Sequence, residues 1–278
     1  MHLSILKARK VEFVPLKRVT KMQELRSDAA APVDRKGAVA LREQVMGQER
    51  NSQKASMVGM VKHGQDYDFE VLVAIMLSAQ TKDSVTYETM QNLRVCGINA
   101  QAILDMTEER LSKLIGKVNY HRRKVQYLKK TSQLLLERYG GHVPDRLSEL
   151  MELPGVGEKT ALLYLQVAKG KVEGIAVDTH VHRIANALGW TGVPTKTAQQ
   201  TRRELENRIP RKFWGVINPL VVGFGQELRE NRSSILHKCL SCSHPRLALQ
   251  LLADCGMQVR REMEKAGLQA GDFLDKPC

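Results

Sequence analysis

The chain has 278 residues, enough for one large domain or two modest ones with a buried core. Lys and Arg outnumber Asp and Glu by 43 to 30, a net charge of +13 that points to a polyanionic partner such as nucleic acid or an anionic membrane surface. No run of about 18 apolar residues is present, which argues against a membrane span, and an odd set of 5 cysteines reads as reduced thiols of a cytosolic or nuclear protein rather than a disulfide framework.

Residues 1–60 lack sustained periodicity and read as a basic, partly disordered arm leading into the second domain. MHLSILKARKVEF has neither a long apolar core nor a small-residue cleavage site, so a secretory signal is not expected. Its basic, acid-free start leaves mitochondrial targeting open, and the clusters KARK and PLKRVTK leave nuclear import open beside the plainer reading of a solvated arm. From Asp68 the pattern turns helical. Val71, Leu72, Ile75 and Met76 share one face, and Leu111, Leu114 and Ile115 repeat the spacing. RRKVQYLKKTSQLLLERYGG ends in a glycine pair suited to stopping a helix. VPDRLSELMEL and EKTALLYLQVAKG follow. GIAV is the one short strand-like run, and DTHVHRIANALG and the segments about 197–208, 212–228 and 245–266 again predict helices. The expected class is all-α.

The stretch LPGVGEKTALLYL joins two of these helices. Pro154 cannot continue the helix before it, Gly155 and Gly157 accept backbone angles that other residues avoid, and Glu158 suits the positive end of the next helix. Backbone N–H groups at such a turn, around Gly155, Val156 and Gly157, can hold an anion, and on a basic protein a DNA phosphate is the natural choice; an ordinary connection punctuated by Pro and Gly is the alternative. Lys159, in the first helical turn, reads either as a solvated lysine or as an amine whose proton the helix field disfavours, hence a nucleophile able to form a Schiff base at a sugar C1′. Asp178 precedes a helix and is foremost an N-cap. His180 and His182 point in different directions on one helix and do not make a metal pair. Arg122, Arg123 and Lys124 form a basic run that is either a solvated face or a contact with the nucleic-acid backbone.

Taken together, LPGVGEKTALLYL and GIAVDTHVHRIANALGW resemble the helix-hairpin-helix and Gly/Pro–Asp loop of the endonuclease III family of DNA glycosylases, the eukaryotic members above all. MLSAQTKDSVTYETMQNL, LIGKVNYHRRKVQYLKKTS and NPLVVGFGQ extend the resemblance from about Asp68 to Gln226. The resemblance implies that Lys159 is the Schiff-base nucleophile, Asp178 the catalytic carboxylate and Gln80 the side chain entering the gap left by the flipped nucleotide. It implies a two-domain fold with the active site in the interdomain cleft: a central bundle over 61–171 carrying the hairpin at about 145–170, and a second domain over 172–278. A monofunctional relative lacks the lysine at this position, so Lys159 argues for lyase as well as glycosylase activity.

The same family carries a C-x6-C-x2-C-x5-C loop that holds a [4Fe–4S] cluster. Here Cys239 and Cys242 keep the central spacing, Arg229 stands near the first ligand position, and twelve residues rather than five separate Cys242 from Cys255. Four thiolates are the usual requirement, so a cluster is not expected across the degenerate region 229–255; Cys239, Cys242 and Cys255 are weak metal candidates, with Cys278, or with His237 or His244 for zinc, as further options. Arg232, Lys238 and Arg246 are read as residual basic contacts.

The expected function is a monomeric, bifunctional glycosylase and abasic-site lyase of base excision repair. It acts without a required metal on oxidised pyrimidines of the thymine glycol type in double-stranded DNA, in the nucleus and potentially the mitochondrion. The competing readings are a same-fold glycosylase for another base and a non-catalytic DNA-binding module.

Overall fold

The computed structural model describes residues 14–28, 31, 34 and 63–268. The KARK cluster, Cys278 and most of the expected arm lie outside the described residues. Among those described, fourteen α-helices and one 3-10 turn form the fold, and no strand is present. The chain divides into two units, residues 32–176 and residues 1–31 with 177–278.

The first helix, α1 (Val14–Leu25), belongs to the composite unit. The continuous unit then holds α2 (His63–Ser78), α3 (Asp83–Val95), α4 (Ala100–Asp105), α5 (Glu108–Leu114), α6 (His121–Tyr139), α7 (Leu147–Met151) and α8 (Glu158–Lys169). Local chemistry sets several ends. The Asn99 side chain accepts the Ala102 N–H at 2.7 Å to start α4, and Thr107 accepts the Arg110 N–H at 3.2 Å to start α5. Gly140, left-handed at φ 58°, stops α6 as the glycine pair predicts. Apolar faces of α4 against α6, and of α8 against α2, close a core that includes Phe69, Leu72, Leu93, Ile103, Leu128 and Tyr164.

The composite unit gathers α1 with α9 (Thr179–Ala187), α10 (Ala198–Arg208), α11 (Trp214–Glu230), α12 (Arg232–Ser241), α13 (Pro245–Asp254) and α14 (Val259–Lys265). Within the stretch read as an arm, α1 is a packed helix: Val19, Met22 and Leu25 are buried against α11 and α13. Arg26, just beyond it, lies across α11. Its guanidinium donates to Pro219 O at 2.9 Å and Leu220 O at 3.2 Å and pairs with Glu227, itself 1% exposed. Gly223 makes room, since a Cβ there would meet the guanidinium at 2.1 Å. Lys238 bridges Glu227 and Asp28 at 2.9 Å each, and Lys21 turns inward to Glu24 and to Ser243 Oγ at 2.8 Å. Arg18 pairs with Asp254 at 2.9 Å. The charges of Arg18, Lys21 and Lys238 are therefore largely spent inside the protein rather than displayed to a partner.

Three expectations change. GIAV is not a strand; Ile175, Ala176 and Val177 form a buried connector whose apolar side chains are packed inside the protein. The single helix expected over 245–266 is two, because Gly256 at φ 90° interrupts it after α13. Residues 232–241, for which no helix was expected, form α12, whose buried Ile235, Leu236 and Cys239 give only a short apolar stripe among polar neighbours.

Candidate active site

The hairpin between α7 and α8 is built around Gly155. Its φ of +81° is left-handed, and a Cβ there would lie 2.6 Å from Tyr127 Cδ2. Tyr127 packs from α6, and Thr131, one turn on, donates its hydroxyl to Pro154 O at 2.9 Å. Two side chains of α6 thus fix the turn. Val156 is buried, and its N–H donates to Leu153 O at 3.0 Å, so this amide closes the turn and is not the outward donor expected from the sequence. Gly157 is different. It is extended at φ −94°, a Cβ there would meet nothing within 4 Å, and no side chain caps the helix it starts. The need for glycine is internal at 155, and the open approach is at 157. Lys159 is the second residue of α8 and is half-buried.

Gln80 follows α2 with a left-handed φ of 54°, uncommon for a residue with a side chain. The surrounding contacts hold it there. Asn119 Nδ2 donates to Gln80 O, and Lys124 Nζ donates to Leu77 O at 2.7 Å, Ala79 O at 2.6 Å and Thr81 Oγ1 at 3.3 Å. Lys124 is only 8% exposed, and burial pushes its pKa down to about 8. The expectation that Lys124 touches a nucleic-acid backbone does not hold for such a side chain: its ammonium replaces the missing donors at the C-terminus of α2. Arg122 and Arg123 are exposed. Arg123 Nε donates to the Tyr127 hydroxyl at 2.8 Å, and its guanidinium lies 5.4 Å from the ring centre. The first turns of α6 and the Asn119 before them therefore tie together the Gln80 loop, the basic pair and the hairpin. Asn119, Tyr127 and Thr131 carry no local motif that singles them out.

In the composite unit, Asp178 is the N-cap of α9, as its sequence position predicts. Its Oδ1 accepts the Val181 N–H at 2.8 Å, and the residue is half-buried. The two histidines diverge: His182 Nδ1 meets Thr201 Oγ1 at 2.6 Å, whereas the His180 ring lies against Gly225 of α11.

Among the described residues the cysteines do not assemble a ligand set. Among the described residues no three His, Cys, Asp or Glu side chains converge as a metal site. Burial pushes the Cys239 and Cys255 thiols each up to about 12, and a cluster needs four convergent thiolates. Cys242 donates to Cys239 O at 3.1 Å beside the Lys21 ammonium, and His244 Nδ1 meets Ser243 Oγ at 2.8 Å. These groups, as arranged, do not fit a [4Fe–4S] cluster or a zinc ion.

Residues 73–211 match the HhH-GPD superfamily base excision DNA repair protein family. An endonuclease III-like protein 1 of Mus musculus is 44% identical over 204 residues, which is 73% of this chain and 63% of that protein. The Bos taurus counterpart is 52% identical over 57% of this chain and 52% of its own length, so the chain spans little more than half of such relatives. An endonuclease III homolog of Encephalitozoon cuniculi is 37% identical over 75% of this chain and 83% of its own. Among solved structures, a trapped endonuclease III–DNA covalent intermediate superposes with a TM-score of 0.58 at 27% identity, covering 76% of this chain and 94% of the other. A non-covalent endonuclease III–DNA complex superposes equally well at 26% identity, covering 80% and 98%. With its hairpin, its capping aspartate and half its length within the family match, the chain belongs to the HhH-GPD superfamily of base excision DNA repair proteins, as a homologue of endonuclease III.

Proposed function

We propose that the protein is a bifunctional DNA glycosylase and abasic-site lyase acting on oxidised pyrimidines, of the thymine glycol type, in double-stranded DNA. The observation that carries this reading is Lys159 in the first turn of α8, two residues from the open approach at Gly157. A phosphate gripped at that helix start sets the nucleotide backbone within reach of the amine. The trapped covalent complex of a 27% identical endonuclease III supports a covalent route.

In this reading the damaged nucleotide leaves the stack, which costs least for a damaged base, and Gln80 enters the gap. The neutral Lys159 amine attacks C1′, the bond from C1′ to the base breaks, and the base departs with a proton. Asp178, held in place by the capping bond from the Val181 N–H, stabilises positive charge at the sugar and takes up the amine proton. The C1′–O4′ bond then opens, O4′ taking that proton, and leaves an iminium between C1′ and the lysine nitrogen; it acidifies C2′, and loss of a C2′ proton expels the C3′ oxygen and cuts the strand on the 3′ side. Hydrolysis of the imine then regenerates the lysine. None of these steps calls on a metal, and the protein is taken to act as a monomer. The excess of basic groups suits nuclear DNA, with the mitochondrion as a second compartment.

Borohydride trapping tests the reading. Duplexes containing thymine glycol, 8-oxoguanine or an abasic site are incubated with the full chain and reductant. A covalent adduct on thymine glycol and abasic DNA that disappears in Lys159→Ala is the expected result. An adduct chiefly on 8-oxoguanine assigns another base, and intact duplex binding without any adduct leaves a binding module. Iron and acid-labile sulfide analysis of the same preparation is expected to find neither in stoichiometric amount.

A further inference from the structure

The composite unit encloses a cavity of about 610 Å³ between α9, the C-terminal end of α11, the start of α12 and the turn joining α13 to α14. Five permanent cations line it: Arg183 from α9, Arg229 from α11, Arg232 from α12, and Arg261 and Lys265 from α14. Glu262 is the one carboxylate among the described lining residues, and two of the cations share it, Lys265 at 2.9 Å and Arg232 at 3.2 Å. Arg183 and Arg261 meet neutral acceptors, Cys255 O and Gln258 Oε1, each at the long distance of 3.4 Å. Charge in the cavity therefore remains strongly positive after internal pairing. The local excess belongs to a unit with 22 Lys and Arg against 13 Asp and Glu, whereas the continuous unit has 21 against 17. Like charges gathered in a concavity repel one another, and its low-dielectric walls focus their field outward, so a compact polyanion gains from every wall at once. Guanidinium forks match phosphoryl oxygens in pairs. The volume falls within the range of about 300–1,000 Å³ typical of small-ligand sites. A duplex, by contrast, carries its phosphates on a convex rod that does not enter such a space.

We infer that this cavity binds a free polyphosphate chain, as inorganic tripolyphosphate or as the triphosphate of a nucleoside. Neither Lys159 nor Asp178 is among its lining residues, and the inference stands or falls independently of the lyase chemistry. Titration calorimetry of the full chain with inorganic tripolyphosphate, at constant ionic strength, is expected to give one saturable site. Arg229→Ser with Arg261→Ser weakens that binding at least tenfold and leaves the melting temperature of the unliganded protein unchanged. Glu262→Gln, which releases Arg232 and Lys265 from their carboxylate, tightens it. A nucleoside triphosphate that binds more tightly than tripolyphosphate assigns the nucleoside form; equal binding assigns the phosphate chain alone. The inference is overturned by the absence of saturable heat, or by heat unchanged in the double variant, which would mark diffuse condensation on a basic surface. It is equally overturned if the double variant loses undamaged-duplex affinity while tripolyphosphate binding stays intact.

Discussion

Lys124 puts an ammonium where water scarcely reaches it, with Leu77 O, Ala79 O and Thr81 Oγ1 in place of solvent. Its pKa is near 8 in the fold and 10.5 when exposed, so between those values the unfolded chain holds more protons and stability rises with pH; below about 8 both states are protonated and the burial penalty is constant. Lys124→Met should abolish that rise, read as urea stability of variant and parent across the window. At neutral pH it leaves buried acceptors unmatched, at about 1–3 kcal/mol. By loosening the Gln80 loop it should slow base excision on the order of tenfold. The two hairpin glycines separate structure from function in the same way. Gly155→Ala should lower stability by about 1–3 kcal/mol, through its positive φ and the clash with Tyr127. Gly157→Ala should leave the melting temperature alone and weaken duplex binding severalfold, because its Cβ points only where a phosphate would sit. Lys159, Asp178 and the two glycines could be singled out in the sequence because a helix start and a capping residue are local patterns. The duties of Lys124, Tyr127 and Thr131 could not, since their partners lie 23 to 47 positions away and nothing local distinguishes them from a helix's ordinary side chains.

Helix periodicity made most elements readable, and the exceptions share a cause. α12 is short and mostly polar, so its face shows only once Ile235 and Leu236 have a core to enter. The packing of α1 on α11 was hidden further still, because Arg26 and Glu227 are 201 positions apart and each reads alone as a surface charge. Together with Lys238 and the exposed Asp28 they form a mutually satisfied network around the buried Arg26–Glu227 pair. Replacing one member strands the others: Glu227→Ala should cost about 3–5 kcal/mol and release α1. The paired replacement Arg26→Met with Glu227→Leu should recover much of that loss, since it removes both charges from the core. Proteolysis within residues 14–28, rapid in the single variant and slow in the double, would report the docking of α1 directly. A double variant as labile as Glu227→Ala would mean that packing of Val19, Met22 and Leu25, rather than the charges, sets the strength of this contact.

For the molecule as a whole, the net charge of +13 predicts affinity for duplex DNA that falls steeply with salt, and the structure sorts which cations contribute. A charge that reaches a backbone phosphate displaces a counterion, so removing it lowers the slope of log K against log salt by about 0.9. A charge spent inside the protein displaces none. Arg122, Arg123 and Lys124 are consecutive and chemically alike, yet only the first two are exposed, and Arg123 is steadied by Tyr127 next to the hairpin. Arg122→Ala and Arg123→Ala should therefore each reduce the slope on undamaged duplex by about one, uniformly across sequences. Lys124→Met should lower excision but leave the slope of undamaged binding as it is, and Lys238→Met, removed from Glu227 and Asp28, should cost stability without altering the slope. Filter binding at four or five salt concentrations with the four variants distinguishes these outcomes. A slope lowered by Lys124→Met as much as by Arg122→Ala would mean that the ammonium leaves Leu77 and Ala79 for the DNA, and with it the account of how the Gln80 loop is held would fail.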